Sequence, residues 1–268
     1  MNERLRQQYL TAMGIQAWEL RSDGGAQQVQ QPAATKEPGP PVGARLPAES
    51  PQDGEPPEWL DEVPPPTEEW ASLAMPEQEP ARPDAVATLD WAALAQRVVQ
   101  CNACELHASR RNTVFGVGNK SADLLVVGEA PGAEEDRQGE PFVGPAGQLL
   151  NAMLRAIGLQ REQVYIANVL KCRPPGNREP RLEEALKCEP FLRRQIALVA
   201  PRVILAVGGV AARHLLKTEE PVGRLRGKRF HIDDIPVVVS YHPAYLLRSS
   251  EQKAKSWEDL QRVVALLR

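Results

Sequence analysis

The last two-thirds of the chain alternate short, continuously apolar runs with longer amphipathic stretches. Strands covered on both faces of a parallel sheet are apolar throughout, so the runs predict four buried strands, at residues 123–128, 164–169, 203–208 and 236–240. The amphipathic stretches predict helices at residues 89–99, 146–157, 182–199, 209–216 and 251–267. Strands that alternate with helices in this way indicate an α/β domain with a mostly parallel sheet.

Residues 1–88 follow a different pattern. Residues 2–21 have helical periodicity, with Leu5 and Tyr9 on one face, which predicts a short helix within residues 1–21. Residues 22–88 are rich in Gln, Pro, Glu and Gly, and such a composition buries too little apolar surface to order itself. We therefore expect a disordered linker at residues 22–88 and a folded domain at residues 89–268. The N-terminal helix is either a docking peptide for another protein or a segment that packs on its own body or frays.

The formal net charge of −3 hides a strong asymmetry. Residues 1–35 are balanced, residues 36–90 carry 13 acidic and 3 basic side chains, and residues 91–268 are therefore basic, at about +7. A basic body is a pointer to nucleic acid. The chain has no apolar run long enough to span a membrane and no secretory signal at its start, so we expect a cytoplasmic protein that does not bind membranes. Disulfides are disfavoured in that compartment, so the four cysteines need another explanation.

Polar side chains of chemical interest follow three of the predicted strands. Glu129 follows the first strand, Asn168 lies at the end of the second, and His242 comes shortly after the fourth. Ligands of α/β domains bind where the carboxyl ends of the strands meet, so we expect these residues to share a site. The glycine-rich loop at residues 128–132 lacks the Lys-Ser/Thr of a P-loop and the three-glycine spacing of a dinucleotide site, which argues against nucleotide binding.

Each candidate residue has a functional and a structural interpretation. Glu129 can orient a water molecule or cap backbone amides. Phe142, in a glycine-bounded loop at residues 139–144, can stack on a flat base or fill a local core. The amide of Asn168 offers a donor and an acceptor together, which match O4 and N3–H of uracil, whereas cytosine presents the reverse polarity. His242 is either a catalyst or a satisfied structural histidine.

A group of basic and apolar residues predicts contacts with DNA. One stretch pairs apolar wedges with a cation, as expected of side chains that fill a gap in a base stack, at Tyr245, Leu246, Leu247 and Arg248. Basic residues also cluster in segments rich in proline and glycine, at Arg173, Arg178, Arg181, Arg224, Arg226, Lys228 and Arg229. From this cluster we predict three phosphate contacts, Arg173, Arg226 and Lys228. The alternative is a solvated basic face.

The four cysteines form one close pair, Cys101 and Cys104, and two more distant positions, Cys172 and Cys188. Four thiols together suit either a tetrahedral zinc ion or a [4Fe–4S] cluster. The spacing alone does not rank these two cofactors. Disulfide pairs and unrelated buried cysteines are further alternatives.

Four motifs in a fixed order resemble the family 4 uracil-DNA glycosylases: GEAPG at 128–132, GEPFVGPAGQLL at 139–150, NVLKCRPPGN at 168–177 and YHPAYLLR at 241–248. The resemblance covers residues 89–268. It implies a three-layer α/β/α fold with a central four-stranded parallel sheet, and a structural [4Fe–4S] cluster bound by the four cysteines. It also implies that Glu129 lies in the water-positioning loop, that His242 supports the departing base, and that the flipped uracil is bound by Ala130, Phe142 and Asn168.

The reaction that the resemblance implies is hydrolysis of the N-glycosidic bond of uracil in DNA, within base excision repair. We expect the protein to be a monomer. Uracil departs as a delocalised anion, which a donor from His242 would stabilise while water attacks the opposite face of the sugar. Residues 171–177 contain no inserted basic loop, so we expect no covalent trapping of the product. The alternatives are a glycosylase with broader specificity for deaminated bases, a catalytically weak DNA-binding adaptor, and an iron–sulfur electron carrier.

Overall fold

The computed structural model describes Gln7, Thr11 and residues 86–268. Gln7 and Thr11 are helical, and the Thr11 hydroxyl donates to the Gln7 carbonyl oxygen at 2.9 Å. The rest of the predicted N-terminal helix lies outside the described residues, as does the predicted linker except for its last three residues. Both therefore stay predictions.

A six-stranded sheet forms the centre of the described part of the chain, in the order β1-β3-β2-β4-β6-β5. The strands are β1 (Val117–Gly118), β2 (Leu124–Gly128), β3 (Tyr165–Asn168), β4 (Val203–Val207), β5 (Phe230–Ile232) and β6 (Ile235–Ser240). The four inner strands are parallel and coincide with the four predicted strands, so the predicted parallel sheet is confirmed. The two antiparallel edge strands make the sheet wider than the expected four strands. Such short, partly exposed segments leave no continuous apolar run in the sequence.

The strand order reverses at β2, because β3 pairs with it on one side and β4 on the other. A crevice forms at such a reversal, outside the carboxyl ends of the strands. Gly128 of β2 is in register with Asn168 of β3. Pairing continues past both strands, since the Leu170 amide donates to the Glu129 carbonyl oxygen at 3.0 Å. The register therefore brings the loop that carries Glu129 beside Asn168.

Eight α-helices accompany the sheet in residues 86–268. They are α1 (Trp91–Val99), α2 (Ala133–Gln138), α3 (Pro145–Ala156), α4 (Leu182–Val199), α5 (Gly209–Leu216), α6 (Val222–Leu225), α7 (Pro243–Arg248) and α8 (Lys253–Leu267). The five predicted helices are confirmed, as α1, α3, α4, α5 and α8. The sequence pattern does not predict α2, α6 and α7, because four to six residues are too few to show helical periodicity.

The core is divided between the two faces of the sheet. On β2, Leu125 and Val127 pack into one buried cluster, whereas Leu124 and Val126 pack into the other. Successive strand residues point to opposite faces, so the alternation builds two cores from one apolar run. The first cluster contains buried residues of α1, α4 and α5, and the second contains those of α3 and α8. This arrangement is the expected three-layer α/β/α fold.

No helix among the described residues is both long enough and apolar enough to cross a membrane.

Candidate active site

A cleft of about 470 Å³ opens at the carboxyl ends of the inner strands. Its lining includes seven of the residues that the sequence nominates, namely Glu129, Ala130, Phe142, Asn168, His242, Tyr245 and Arg248. These residues are scattered over 120 positions of the chain, and the strand ends bring them together. The sequence-based expectation that they share one site is therefore met.

Asn168 forms a buried polar part of the cleft. Its side chain belongs to a residue that is 2% exposed, and its Oδ1 atom has no hydrogen-bond partner. A buried amide oxygen without a partner is costly, so this atom is suited to accept a hydrogen bond from a ligand. Gly128 makes room for it, because a Cβ atom at Gly128 would lie 2.5 Å from Asn168 Oδ1 and 2.6 Å from Phe142 Cζ.

Phe142 is buried beside Asn168 in an unusual backbone conformation. Its φ of +54° lies in the left-handed region, which is rare for a bulky residue. The ring lies against the imidazole of His242, with 5.6 Å between centroids and 28° between planes. Gly147 of α3 packs directly on the Phe142 peptide, because a Cβ atom there would lie 1.8 Å from the Phe142 carbonyl oxygen. The aromatic floor of the cleft is thus fixed by close backbone packing.

His242 is held as a neutral imidazole with a defined tautomer. It caps α7, and its Nδ1 accepts a hydrogen bond from the Ala244 amide at 3.1 Å. An accepting Nδ1 carries no proton, so the proton of the neutral ring is on Nε2. Burial lowers the pKa of His242 to about 4, with a further contribution from Arg248 and an opposing one from Glu135. The residue is therefore a neutral hydrogen-bond donor at physiological pH.

Glu129 follows β2 at the wall of the cleft and is partly buried. Burial raises the pKa of its carboxyl group, and the charge of Arg213 acts in the opposite direction. Arg213 also forms an ion pair with Glu179. A carboxylate in this position can accept a hydrogen bond from a water molecule at the strand end, and its role as the water-positioning residue stays a prediction.

Comparison with known proteins decides the family. A model of the uracil DNA glycosylase superfamily matches residues 115–261. The type-4 uracil-DNA glycosylase of Archaeoglobus fulgidus is 41% identical over 178 residues, which cover 63% of this chain and 89% of the relative. The type-4 enzymes of Thermotoga maritima and Pyrobaculum aerophilum are 41% and 40% identical, and the matches cover 93% and 92% of those relatives.

The chain belongs to family 4 of the uracil-DNA glycosylase superfamily.

The matched residues 115–261 contain every residue of the cleft described above. They also contain Cys172 and Cys188, whereas Cys101 and Cys104 precede them. The motif-based resemblance to family 4 is confirmed.

Glu135 is a site residue of this family 4 member that the sequence analysis missed. Its Oε2 accepts from the Gly132 amide at 3.1 Å, and its Oε1 accepts from the amides of Val143 and Gly144 at 3.0 and 3.1 Å. One carboxylate therefore joins the Glu129 loop to the Phe142 loop. Its place three residues after Gly132, at the start of a helix, is a capping-box position, and that spacing is the signal that identifies it.

Lys171 is a second residue that the sequence analysis missed. It is 1% exposed, and its Nζ donates to the Asn168 carbonyl oxygen and to Gln195 Oε1, both at 2.7 Å. Strand β1 pairs only with Tyr165 and Ile166, so it ends before Asn168. The Lys171 ammonium thus satisfies a carbonyl group that no neighbouring strand covers.

The four cysteines line one small cavity, which α1, the segment after β3 and α4 enclose. All four are free thiols. Arg110 Nη1 donates to Cys172 Sγ at 3.1 Å and the Lys171 amide donates to Cys188 Sγ at 3.3 Å. Burial raises the pKa of both thiols, and these donors oppose that effect. Among the described residues, no group of three or more His, Cys, Asp or Glu side chains forms a metal-binding arrangement.

The structure argues against two of the predicted DNA contacts. Leu246 is fully buried with the core residues of α3 and α8, because α7 turns it inward, so it is not free to enter a base stack. Arg226 is 11% exposed, its Nε and Nη2 donate to the carboxylate of Asp259 at 2.6 and 3.0 Å, and it is therefore committed to an internal ion pair.

The other predicted contacts keep exposed or half-buried positions. Tyr245, Leu247 and Arg248 are exposed on α7. The half-buried Arg173 donates from Nε to Asn177 Oδ1 at 2.7 Å. Lys228 forms a surface ion pair with Glu220, also at 2.7 Å. Their roles as DNA contacts stay predictions.

Proposed function

We propose that this chain hydrolyses the N-glycosidic bond between uracil and deoxyribose in DNA and leaves an abasic site, as a step of base excision repair. The observation that carries the proposal is the buried, unpartnered Oδ1 of Asn168 in a cleft with Phe142 and His242. Relatives named type-4 uracil-DNA glycosylases, of which the chain matches about nine-tenths, support the same substrate.

Recognition follows from the amide of Asn168. Oδ1 would accept from N3–H of uracil, and Nδ2 would donate to O4. Cytosine presents an acceptor at N3 and a donor at C4, so it would leave the buried Oδ1 atom without a partner. The uracil must first leave the base stack, which costs a few kcal/mol, and stacking on Phe142 offsets part of that cost.

Catalysis follows from His242 and Glu129. As the bond to the sugar breaks, negative charge develops on the uracil ring, and the Nε2–H of a neutral His242 would stabilise it at O2. The uracilate leaves without prior protonation because its charge is delocalised. On the other face, C1′ develops cationic character and is attacked by water. Glu129 would orient this water and stabilise the adjacent positive charge.

The proposal includes a [4Fe–4S] cluster held by Cys101, Cys104, Cys172 and Cys188. The donor set fits such a group, because four thiols share one cavity and two of them accept N–H hydrogen bonds that stabilise thiolate ligands. When bound, the cluster would brace α1, α4 and the exit from β3, and the hydrolysis needs no electron transfer.

The test is single-turnover release of uracil from a labelled oligonucleotide by the wild type, Asn168→Ala and His242→Ala. Loss of a hydrogen bond to the departing charge is expected to cost a factor of about 10² to 10³ for His242→Ala, and Asn168→Ala is expected to fall by at least about tenfold. Asn119→Ala and His231→Ala, at exposed positions, are matched controls that should keep full activity.

Two outcomes would overturn these assignments. Absence of uracil release by the wild type would contradict the proposed glycosylase function. Iron and acid-labile sulfide should be present in equal amounts, about four of each per chain. Zinc in their place would contradict the proposed [4Fe–4S] cluster.

A further inference from the structure

The backbone around Phe142 is held from both sides by charged groups. A φ of +54° is disfavoured for a residue with a Cβ atom, so the surroundings must maintain it. Two peptide planes flank Phe142, and their orientations set its φ and ψ. The amide of Val143, which belongs to the peptide plane after Phe142, donates to Glu135 Oε1. The amide of Gly144, in the following peptide plane, donates to the same oxygen.

Arg161 holds the carbonyl side of the same peptides. Its Nη2 donates to the Pro141 carbonyl oxygen at 2.5 Å, and its Nη1 donates to the Phe142 carbonyl oxygen at 3.3 Å and to Asn151 Oδ1 at 3.4 Å. Pro141 and Phe142 contribute one carbonyl to each of the two planes that flank Phe142. The guanidinium thus restrains φ and ψ of Phe142 together.

The placement of Arg161 makes this contact specific. The residue lies in a single 3₁₀ turn, Arg161–Gln163, between α3 and β3, outside all four motifs of the sequence. It is half-buried, and burial lowers its pKa, an effect that three carboxylates oppose, those of Glu140, Glu162 and Glu135. Arginine suits the position because a rigid fork of donors reaches two successive carbonyl groups, whereas lysine offers a single point charge.

We propose that Arg161 is a positioning residue for uracil excision, which acts by holding Phe142 in the left-handed backbone conformation that presents its ring to the base. The inference rests on the proposed function. It differs from a general structural role in one respect, because the effect of Arg161 on the reaction must pass through the Phe142 ring.

A double-mutant cycle tests this dependence. Single-turnover uracil release is measured for the wild type, Arg161→Met, Phe142→Gly and the double variant. In the wild-type background, Arg161→Met should reduce the rate about tenfold. In the Phe142→Gly background the same change should have no effect, since no ring remains to be positioned and glycine adopts positive φ without restraint. Arg161→Lys should give an intermediate rate. An equal loss in both backgrounds would overturn the proposal.

A matched control separates positioning from stability. Arg194 is also half-buried and also donates to a backbone carbonyl, that of Leu89 at 2.6 Å, but it lies on α4 and does not line the cleft. Arg194→Met should lower the melting temperature and leave the single-turnover rate unchanged. A rate loss as large as that of Arg161→Met would reduce Arg161 to one of several supports of the fold.

Hydrogen exchange provides a readout that needs no activity. In the DNA-free protein, Arg161→Met should speed exchange of the Val143 and Gly144 amides by at least about tenfold, and Arg194→Met should not. Unchanged exchange would overturn the restraint itself. If the wild type releases no uracil, the proposed function fails, and the exchange data still decide whether Arg161 holds the Phe142 peptide.

Discussion

The half-buried, neutral His242 makes a specific prediction about stability and pH. Its pKa in the folded protein is about 4, against 6.5 for an unperturbed histidine, because burial and the charge of Arg248 disfavour the imidazolium. The perturbation is His242→Asn, which removes the titrating ring and keeps a side chain that caps the first turn of α7 well.

The magnitude follows from linkage. Above pH 6.5 the ring is neutral in both states, and the stability is fully present. As pH falls from 6.5 towards 4, the unfolded chain binds a proton that the folded protein excludes, so the free energy of unfolding decreases. Between pH 7 and pH 5 the decrease due to this residue is about 2 kcal/mol, and it approaches about 3 kcal/mol below the folded pKa.

The assay is urea unfolding of the wild type and His242→Asn at pH 7 and pH 5. The wild type should lose about 2 kcal/mol more than the variant over this interval. Every other titrating group, including His214, is common to both proteins and cancels in the difference. NMR titration of the His242 ring in the folded protein gives its pKa independently. Equal pH dependence in the two proteins, or a ring that titrates near pH 6.5, would refute the burial and tautomer argument.

Two further predictions concern Gly147 and the basic residues. Gly147→Ala places a methyl group against the Phe142 carbonyl oxygen and should reduce single-turnover uracil release at least about tenfold. The control is Gly209→Ala, where the nearest atom lies 3.6 Å from the added methyl group and no loss of activity is expected. Full activity of Gly147→Ala would show that the Phe142 loop tolerates displacement. Arg226→Gln leaves Asp259 buried without its partner and should lower the free energy of unfolding by about 3 to 5 kcal/mol. The salt dependence of DNA binding should be unchanged in this variant. Arg173→Gln, in contrast, should reduce the slope of the logarithm of the DNA-binding constant against the logarithm of the salt concentration by about 1. A reduced slope for Arg226→Gln would return that residue to the phosphate contacts.

The sequence predicts the inner sheet and the grouping of polar residues in the cleft, for a local reason. A parallel strand buried on both faces must be apolar over its whole length, so each inner strand is visible as a run. The polar residue at the end of a run then marks the edge of the sheet where ligands bind. Glu129, Asn168 and His242 are all found in this way, because chain position alone determines that they follow β2, end β3 and follow β6.

Contacts between distant segments are what the sequence does not show. A lysine after the apolar run of β3 has the pattern of a side chain that leaves the core for solvent, yet Lys171 is buried, because Gln195, 24 residues away, accepts its second hydrogen bond. Arg226 and Leu246 are residue types that are common at DNA contacts. In the structure, however, Arg226 forms an ion pair with Asp259, and Leu246 packs into the core. In each case the local pattern is compatible with both outcomes, and a partner far along the chain selects one.

Phe142 has one feature that the local sequence predicts and another that depends on distant segments. Its motif predicts the aromatic ring, but the positive φ of the residue has no signature in GEPFVG, since phenylalanine is not a residue that favours the left-handed region. The strain is sustained by Arg161, 19 residues away, and by Glu135 on a helix that the periodicity does not predict. A strained residue and the groups that hold it form one functional unit, because neither is useful without the other. It follows that a copy of the four motifs on another scaffold would carry the ring without its restraint. Such a copy should excise uracil slowly until an arginine is placed to reach the carbonyls before and after the phenylalanine and a carboxylate is placed to accept from the two amides that follow it.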